Sequence, residues 1–197
     1  GDGRSEKFIG EILKNTKEKI YVATKAGRRL DPHVSEGYNL NNIEAFIDRS
    51  LLNLGIDTID LLQLHCPPSD ICGKSETYEM MDEIVKKGKI KYYGVSVEKV
   101  SEALDAIKFS NVKSIQIIFN IFRQKPNEIF FKEAKKNNVA IIVRVPLASG
   151  LLTGKMNLNS SFPKKHHRNY NINGDSFDVR QTLPRIHFQK GHEADKK

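Results

Sequence analysis

Five side chains able to do chemistry stand at matching places in this sequence. Lys25, His65, Ser96, Asn120 and Arg144 each close a run of apolar or β-branched residues: "YVATK", "IDLLQLH", "YYGVS", "IQIIFN" and "AIIVR". Singly, each residue has a plainer explanation. A lysine at a strand end is most often a solvated terminus, and a lone histidine is most often a satisfied structural residue. Their shared position is the signal. If the apolar runs are strands of one parallel barrel, their C-terminal ends surround a single mouth, where such barrels carry their chemistry.

The elements that position these residues alternate along the chain. Strands are predicted near 20–25, 59–65, 90–96, 114–120 and 140–146. Helices are predicted between them, at 41–55, 75–89, 98–110 and 126–139. In the first, Ile43, Phe46, Ile47, Leu51 and Leu54 share one helical face, and Gly55 is placed to cap its C-terminus. Ser75 is placed to cap the second, which ends in lysines and Gly88. Strict β-α alternation implies a parallel sheet with helical crossovers. No G-x-G-x-x-G follows a strand, so the barrel is favoured over an open dinucleotide-binding sheet.

Composition narrows the function classes. Hydrophobic residues make up 39% and charged residues 28% of 197, enough for one domain with a substantial core. No apolar run approaches the ~18 residues of a membrane span, and the opening "GDGRSEKFIG" has no signal-peptide pattern. The expected location is cytoplasmic, with no membrane partner. The net charge of +8 is concentrated after residue 154, where nine Lys/Arg face four Asp/Glu. Such a polar tail reads as solvated, and no nucleic-acid partner is expected. Cys66 and Cys72 lack the companions that a zinc site or disulfide framework needs, so no metal is expected and both read as reduced thiols.

The segments "VATKAG", "SLLNLGIDTIDLLQLHCPP", "GKIKYYGVSV", "IQIIFNIF" and "VPLASGLLTGK" resemble, in order and spacing, the successive signatures of the aldo-keto reductases. "RNYNINGDSFD" resembles the loop after strand seven in bacterial-type members. The resemblance implies an α/β fold, a (β/α)₈ barrel here represented by about five parallel strands, numbers three to seven. Residues 1–178 would form this partial barrel and 179–197 an irregular tail. It further implies NADP(H) as cofactor, a small-molecule carbonyl as substrate, and hydride transfer between them.

By the same resemblance Lys25 and His65 are catalytic positions. The family's tyrosine acid and its aspartate lie in a D-x-A-x-x-Y-G segment whose glycine matches Gly1. Residues 1–197 alone are therefore expected to be weakly active or inactive. A carbonyl that accepts hydride gains charge on oxygen and needs both a proton and preorganised donors. Ser96 matches the serine of a "GVSN"-like motif that holds the nicotinamide carboxamide, with Val97 replacing the asparagine. Gln116 matches a glutamine that reaches the same group, though it also reads as a polar residue of the barrel wall. Asn120 matches the family's "YN" asparagine. Arg144 stands where relatives often stack an aromatic ring on the nicotinamide; a planar guanidinium can stack as well, or pair with a rim carboxylate. Pro146, Leu147, Ser149 and Leu151 belong to the loop that the resemblance assigns to the pyrophosphate. Two other readings stand beside the reductase: a non-catalytic, channel-associated homologue and a degenerate fragment.

Overall fold

Strand and helix alternate as the pattern requires, in a computed structural model that describes residues 3–155 together with Ser161 and Pro163. The strands are β1 (Ala23–Ala26), β2 (Ile59–His65), β3 (Ile90–Ser96), β4 (Val112–Ile118) and β5 (Ala140–Arg144). They form one sheet in the order β1-β2-β3-β4-β5, and the ladders β1–β2, β2–β3 and β3–β4 are parallel. The helices are α1 (Arg4–Asn15), α2 (Leu40–Leu54), α3 (Ser75–Lys86), α4 (Val100–Ala106), α5 (Lys125–Glu128) and α6 (Phe130–Lys136). The "RNYNINGDSFD" segment and the tail 179–197 lie outside the described residues.

The chain divides into two compact units. Of the described residues, one takes in those up to Ile117 with Asn127–Ile142; the other takes in Ile118–Pro126 and those from Val143 onward. The core of the first joins sheet residues such as Leu62, Leu64, Val95 and Ile115 to helix residues such as Ile43, Ile47, Met81, Ile84 and Phe130. Burying each such side chain fully contributes about 1.5–3 kcal/mol. On α2, Ile43, Ile47 and Leu54 are buried, while Phe46 and Leu51 pack partly buried against the core. Gly55 caps α2 at φ 65°, as its position suggested.

Several boundaries differ from the sequence expectations. The opening segment, for which no element was expected, carries α1, entered through Gly3 at φ 79°. Ser75 is the first residue inside α3 and caps nothing; Lys74 precedes it without a side-chain cap. β1 starts at Ala23, and Tyr21 before it is 70% exposed, its ring under the Lys19 ammonium. The helix expected at 126–139 is two short helices broken at Ile129. β4 stops at Ile118, because Asn120 turns its side chain on the backbone: it accepts from Phe122 N and donates to Val145 O. Such local side-chain bonds compete with a ladder. β5 stops at Arg144 because Val145 takes φ 56°.

One contact fixes the middle of the sheet. Gln63, Gly94 and Ser114 are in register across β2, β3 and β4. The Gln63 Nε2 donates to Ser114 Oγ at 3.3 Å, passing over the glycine. Both residues are buried. A Cβ at position 94 would overlap the carbonyl oxygen and the hydroxyl of Ser114. Gly94→Ala is therefore expected to destabilise the protein by about 1–3 kcal/mol, seen as a lower midpoint in urea unfolding. An unchanged midpoint would mean that β4 moves aside freely.

Candidate active site

In a parallel pair, registered residues point to the same side of the sheet. Lys25 is registered with Gln63, His65 with Ser96, and Ser96 with Gln116. Gln63 and His65 are two residues apart on β2, so Lys25, His65, Ser96 and Gln116 share one face. All four lie near the C-terminal ends of their strands. Lys25 and His65 sit on neighbouring strands two residues out of step, which strand spacings make about 8 Å between their Cα atoms. Both line one cleft of about 360 Å³.

Glu6 and Arg49 also line that cleft, with Thr24 and Arg29. Glu6 reaches from α1 and accepts three hydrogen bonds. Thr24 Oγ1 and Ser50 Oγ each donate to Oε1 at 2.7 Å, and Asn53 Nδ2 donates to Oε2 at 3.0 Å. One carboxylate thus ties α1 to β1 and α2, at the residue next to Lys25. Close approach of the helices is possible because α1 has Gly10 where a Cβ would lie 2.7 Å from Leu54 O. Burial pushes the Glu6 carboxyl up, but the Ser50, Thr24 and Asn53 hydrogen bonds and the Arg49 guanidinium outweigh it and hold the pKa below the ordinary 4.5.

Ser96 and Gln116 form the next row. Ser96 Oγ donates to Gln116 Oε1 at 3.3 Å. Ser96 is fully buried, whereas Gln116 is half-buried. The ladder runs on past the strand ends: Cys66 N donates to Ser96 O, and Val97 N donates to Gln116 O, both at 2.8 Å. Cys66 takes φ 49°, turning the chain directly behind His65. Both cysteines are free thiols. Burial, and then the Glu102 carboxylate, push the Cys72 pKa up to about 12. A hydroxyl and a carboxamide at paired strand ends are the donors and acceptors that a primary amide such as nicotinamide's requires, so this donor set fits that group.

The other expected site residues belong to the second unit. Arg144 O accepts from Phe119 N at 3.3 Å, beside the turn that Asn120 organises. Pro146 is exposed and has no N–H to offer; Leu147 is 53% exposed, while Leu151 is buried. Ala148, Ser149 and Gly150 take successive left-handed conformations, at φ 48°, 58° and 95°, inside a 3₁₀ turn over Ala148–Thr153. The N–H groups of Ala148, Gly150 and Leu152 are bonded within the loop, to Val145 O, Leu147 O and Leu147 O. Among the described residues no cluster of His, Cys, Asp or Glu could hold a metal ion, and no helix is long and apolar enough to cross a membrane. Sequence reasoning did not single out Gln63, Ser114 or Glu6; a lone glycine inside a strand was the available signal for the first two.

Residues 1–195 match the aldo/keto reductase family. This chain belongs to that family. It is 35% identical over 157 residues to the uncharacterized oxidoreductase YqkF of Bacillus subtilis, covering 78% of this chain and 50% of that one. It is 32% identical over 180 residues to the NADP(+) aldo-keto reductase yakc of Schizosaccharomyces pombe, covering 85% and 52%. The aldo-keto reductase chain thus spans about half the length of these relatives. Its fold is similar to that of a glycerol dehydrogenase from Gluconobacter oxydans, with a TM-score of 0.72 and 26% identity over 92% of this chain and 58% of that one. The fold class is the aldo-keto reductase (β/α)₈ barrel, of which the described residues give five strands.

Glu6 generates a prediction. Its folded pKa is depressed, so its stabilisation is fully present above the ordinary value of 4.5 and is lost as pH falls through the lower folded value. Glu6→Gln should cost about 1–3 kcal/mol at neutral pH. The gap between variant and parent should close as the pH drops below that ordinary value. Urea unfolding at several pH values measures this, and a gap independent of pH would rule out the carboxylate's role.

Proposed function

We propose that the protein is an NADP(H)-dependent oxidoreductase of small carbonyl compounds, with Lys25 and His65 as its catalytic positions. The observation that carries this reading is the convergence of Lys25 and His65 on one cleft, with Ser96 and Gln116 paired on the same sheet face. The yakc relative's NADP(+) designation supports the choice of cofactor.

When bound, reduced nicotinamide supplies the hydride. Gln116, steadied by Ser96, would orient the amide of that ring. The His65 imidazole would donate an N–H to the substrate carbonyl and stabilise the oxyanion as it forms. Lys25 would hold a positive charge beside the proton donor and favour that donor's ionised form. Arg144 and the Pro146–Leu151 segment are the proposed contacts for the ring and the pyrophosphate.

Among the described residues no tyrosine is in the lining of the cleft. Tyr93 donates to Asp82, Tyr78 to Cys72 O, and Tyr38 pairs with His33. The test is oxidation of NADPH, and separately of NADH, with a nitrobenzaldehyde. Residues 1–197 alone are expected to be ~10²–10⁴-fold slower than a polypeptide that also carries the D-x-A-x-x-Y-G segment, the usual loss for a missing general acid. In the longer polypeptide, Lys25→Met and His65→Ala should each abolish most turnover. Undiminished turnover in both variants would sink the assignment.

A further inference from the structure

We propose that Glu102 is a positioning residue for the rim that carries His65 and Ser96, holding the segments after β2 and β3 in one fixed relation. The inference rests on the reading above only in naming that rim as the cofactor-amide site.

Glu102 lies in the first turn of α4 and is 6% exposed. Its two oxygens serve two different segments. Oε2 accepts from Glu98 N and Lys99 N, each at 3.0 Å; these are the second and third residues after Ser96. Oε1 accepts from Ser69 Oγ at 2.7 Å; Ser69 is the fourth residue after His65 and opens the 3₁₀ turn Ser69–Gly73. Lys99 completes the cluster, with Nζ 3.0 Å from Ser69 Oγ and 3.6 Å from Glu102 Oε1. The circuit closes through the bond from Cys66 N to Ser96 O. Each link spans only a few residues, so neither segment can swing without breaking a bond to this carboxylate.

A helix cap alone would need the two backbone N–H groups and nothing from Ser69. The bond to Ser69 joins the far segment, and that bond is what a positioning role requires. The charge also matters. All the groups around Glu102 are donors, and a carboxylate has acceptor sites for all of them. A glutamine has one acceptor oxygen and would turn an N–H₂ toward a donor.

The experiment compares the full chain with Glu102→Gln and Ser69→Ala, the second being the milder change should the first unfold. Folding is checked by circular dichroism. The first readout is the labelling rate of Cys66 by a thiol reagent, resolved from Cys72 by mass spectrometry. Cys66 is 5% exposed and sits inside the circuit, so both folded variants should label faster than the parent. The second readout is affinity. Kd for NADPH should rise roughly tenfold in Glu102→Gln, the loss expected from one hydrogen bond to a charged group. Kd for 2′,5′-ADP, which lacks the nicotinamide, should change by no more than about twofold. Unchanged Cys66 labelling in both folded variants overturns the proposal. Equal weakening of both ligands overturns it too, because that is what a general loss of structure does. If the parent binds no NADPH, the functional reading falls, and the labelling still decides whether Glu102 holds the two segments.

Discussion

A missing side chain sets the geometry of the central sheet. At Gly94 the neighbouring strand comes so near that Ser114 occupies the space a Cβ would need. Gln63 then reaches across the gap to hydrogen-bond Ser114 from the far side. An amide and a hydroxyl buried in this way are stable only because each satisfies the other. The row above them is the row of candidate site residues, His65, Ser96 and Gln116. Parallel pairing carries the register upward one rung at a time, so a shift at Gly94 would displace the whole row.

Above the sheet, carboxylates bond the connecting segments to one another, while Tyr38, Ile71, Cys72 and Val97 of those segments are buried in the core. Asp70 accepts from Ser35 at 2.6 Å and pairs with Lys74, joining the segment after β1 to the segment after β2. Exposed pairs of the Asp70–Lys74 kind contribute little on their own. Buried carboxylates behave differently, because removing a donor leaves an uncompensated charge. Glu102 is of this second kind and fixes the backbone just after Ser96, while the part-buried Glu6 holds the side chain of Thr24, next to Lys25.

Much of this was legible in the sequence because strand ends are marked twice, by the stop of an apolar run and by the polar residue that follows. Lys25, His65, Ser96 and Arg144 fall within or at the ends of the strands expected for them. Gly55 was legible because few residues other than glycine accept a left-handed φ. The misses have a common cause in long-range bonds. Glu6 and Thr24 are eighteen residues apart, and Gln63 and Ser114 are fifty-one apart; no local pattern pairs them. Asn120 closes the apolar run "IQIIFN" and so reads as a strand end, yet its side chain captures the backbone first. That Lys25 and His65 share one cleft was legible from their common place at strand ends, whereas its further lining by Glu6 and Arg49 depends on how α1 and α2 pack, which no strand pattern encodes.

The short strand β1 is stitched from two sides. Thr24 donates to Glu6 on α1, and Val22 N, just before the strand, donates to Asp60 on β2 at 2.9 Å. Burial pushes the Asp60 carboxyl up, but Lys91 and the Val22 N–H outweigh it and hold it below its ordinary value. Both stitches are carboxylates, and both loosen on protonation, while the apolar core beneath the sheet is indifferent to acid. The ladder to β2 and the buried Val22 and Ala26 remain, so acidification should loosen β1 without removing it, and protection from hydrogen exchange should fall in β1 before it falls in β2, β3 and β4. Of the two residues that share the cleft, the lysine is then the one whose support depends on pH.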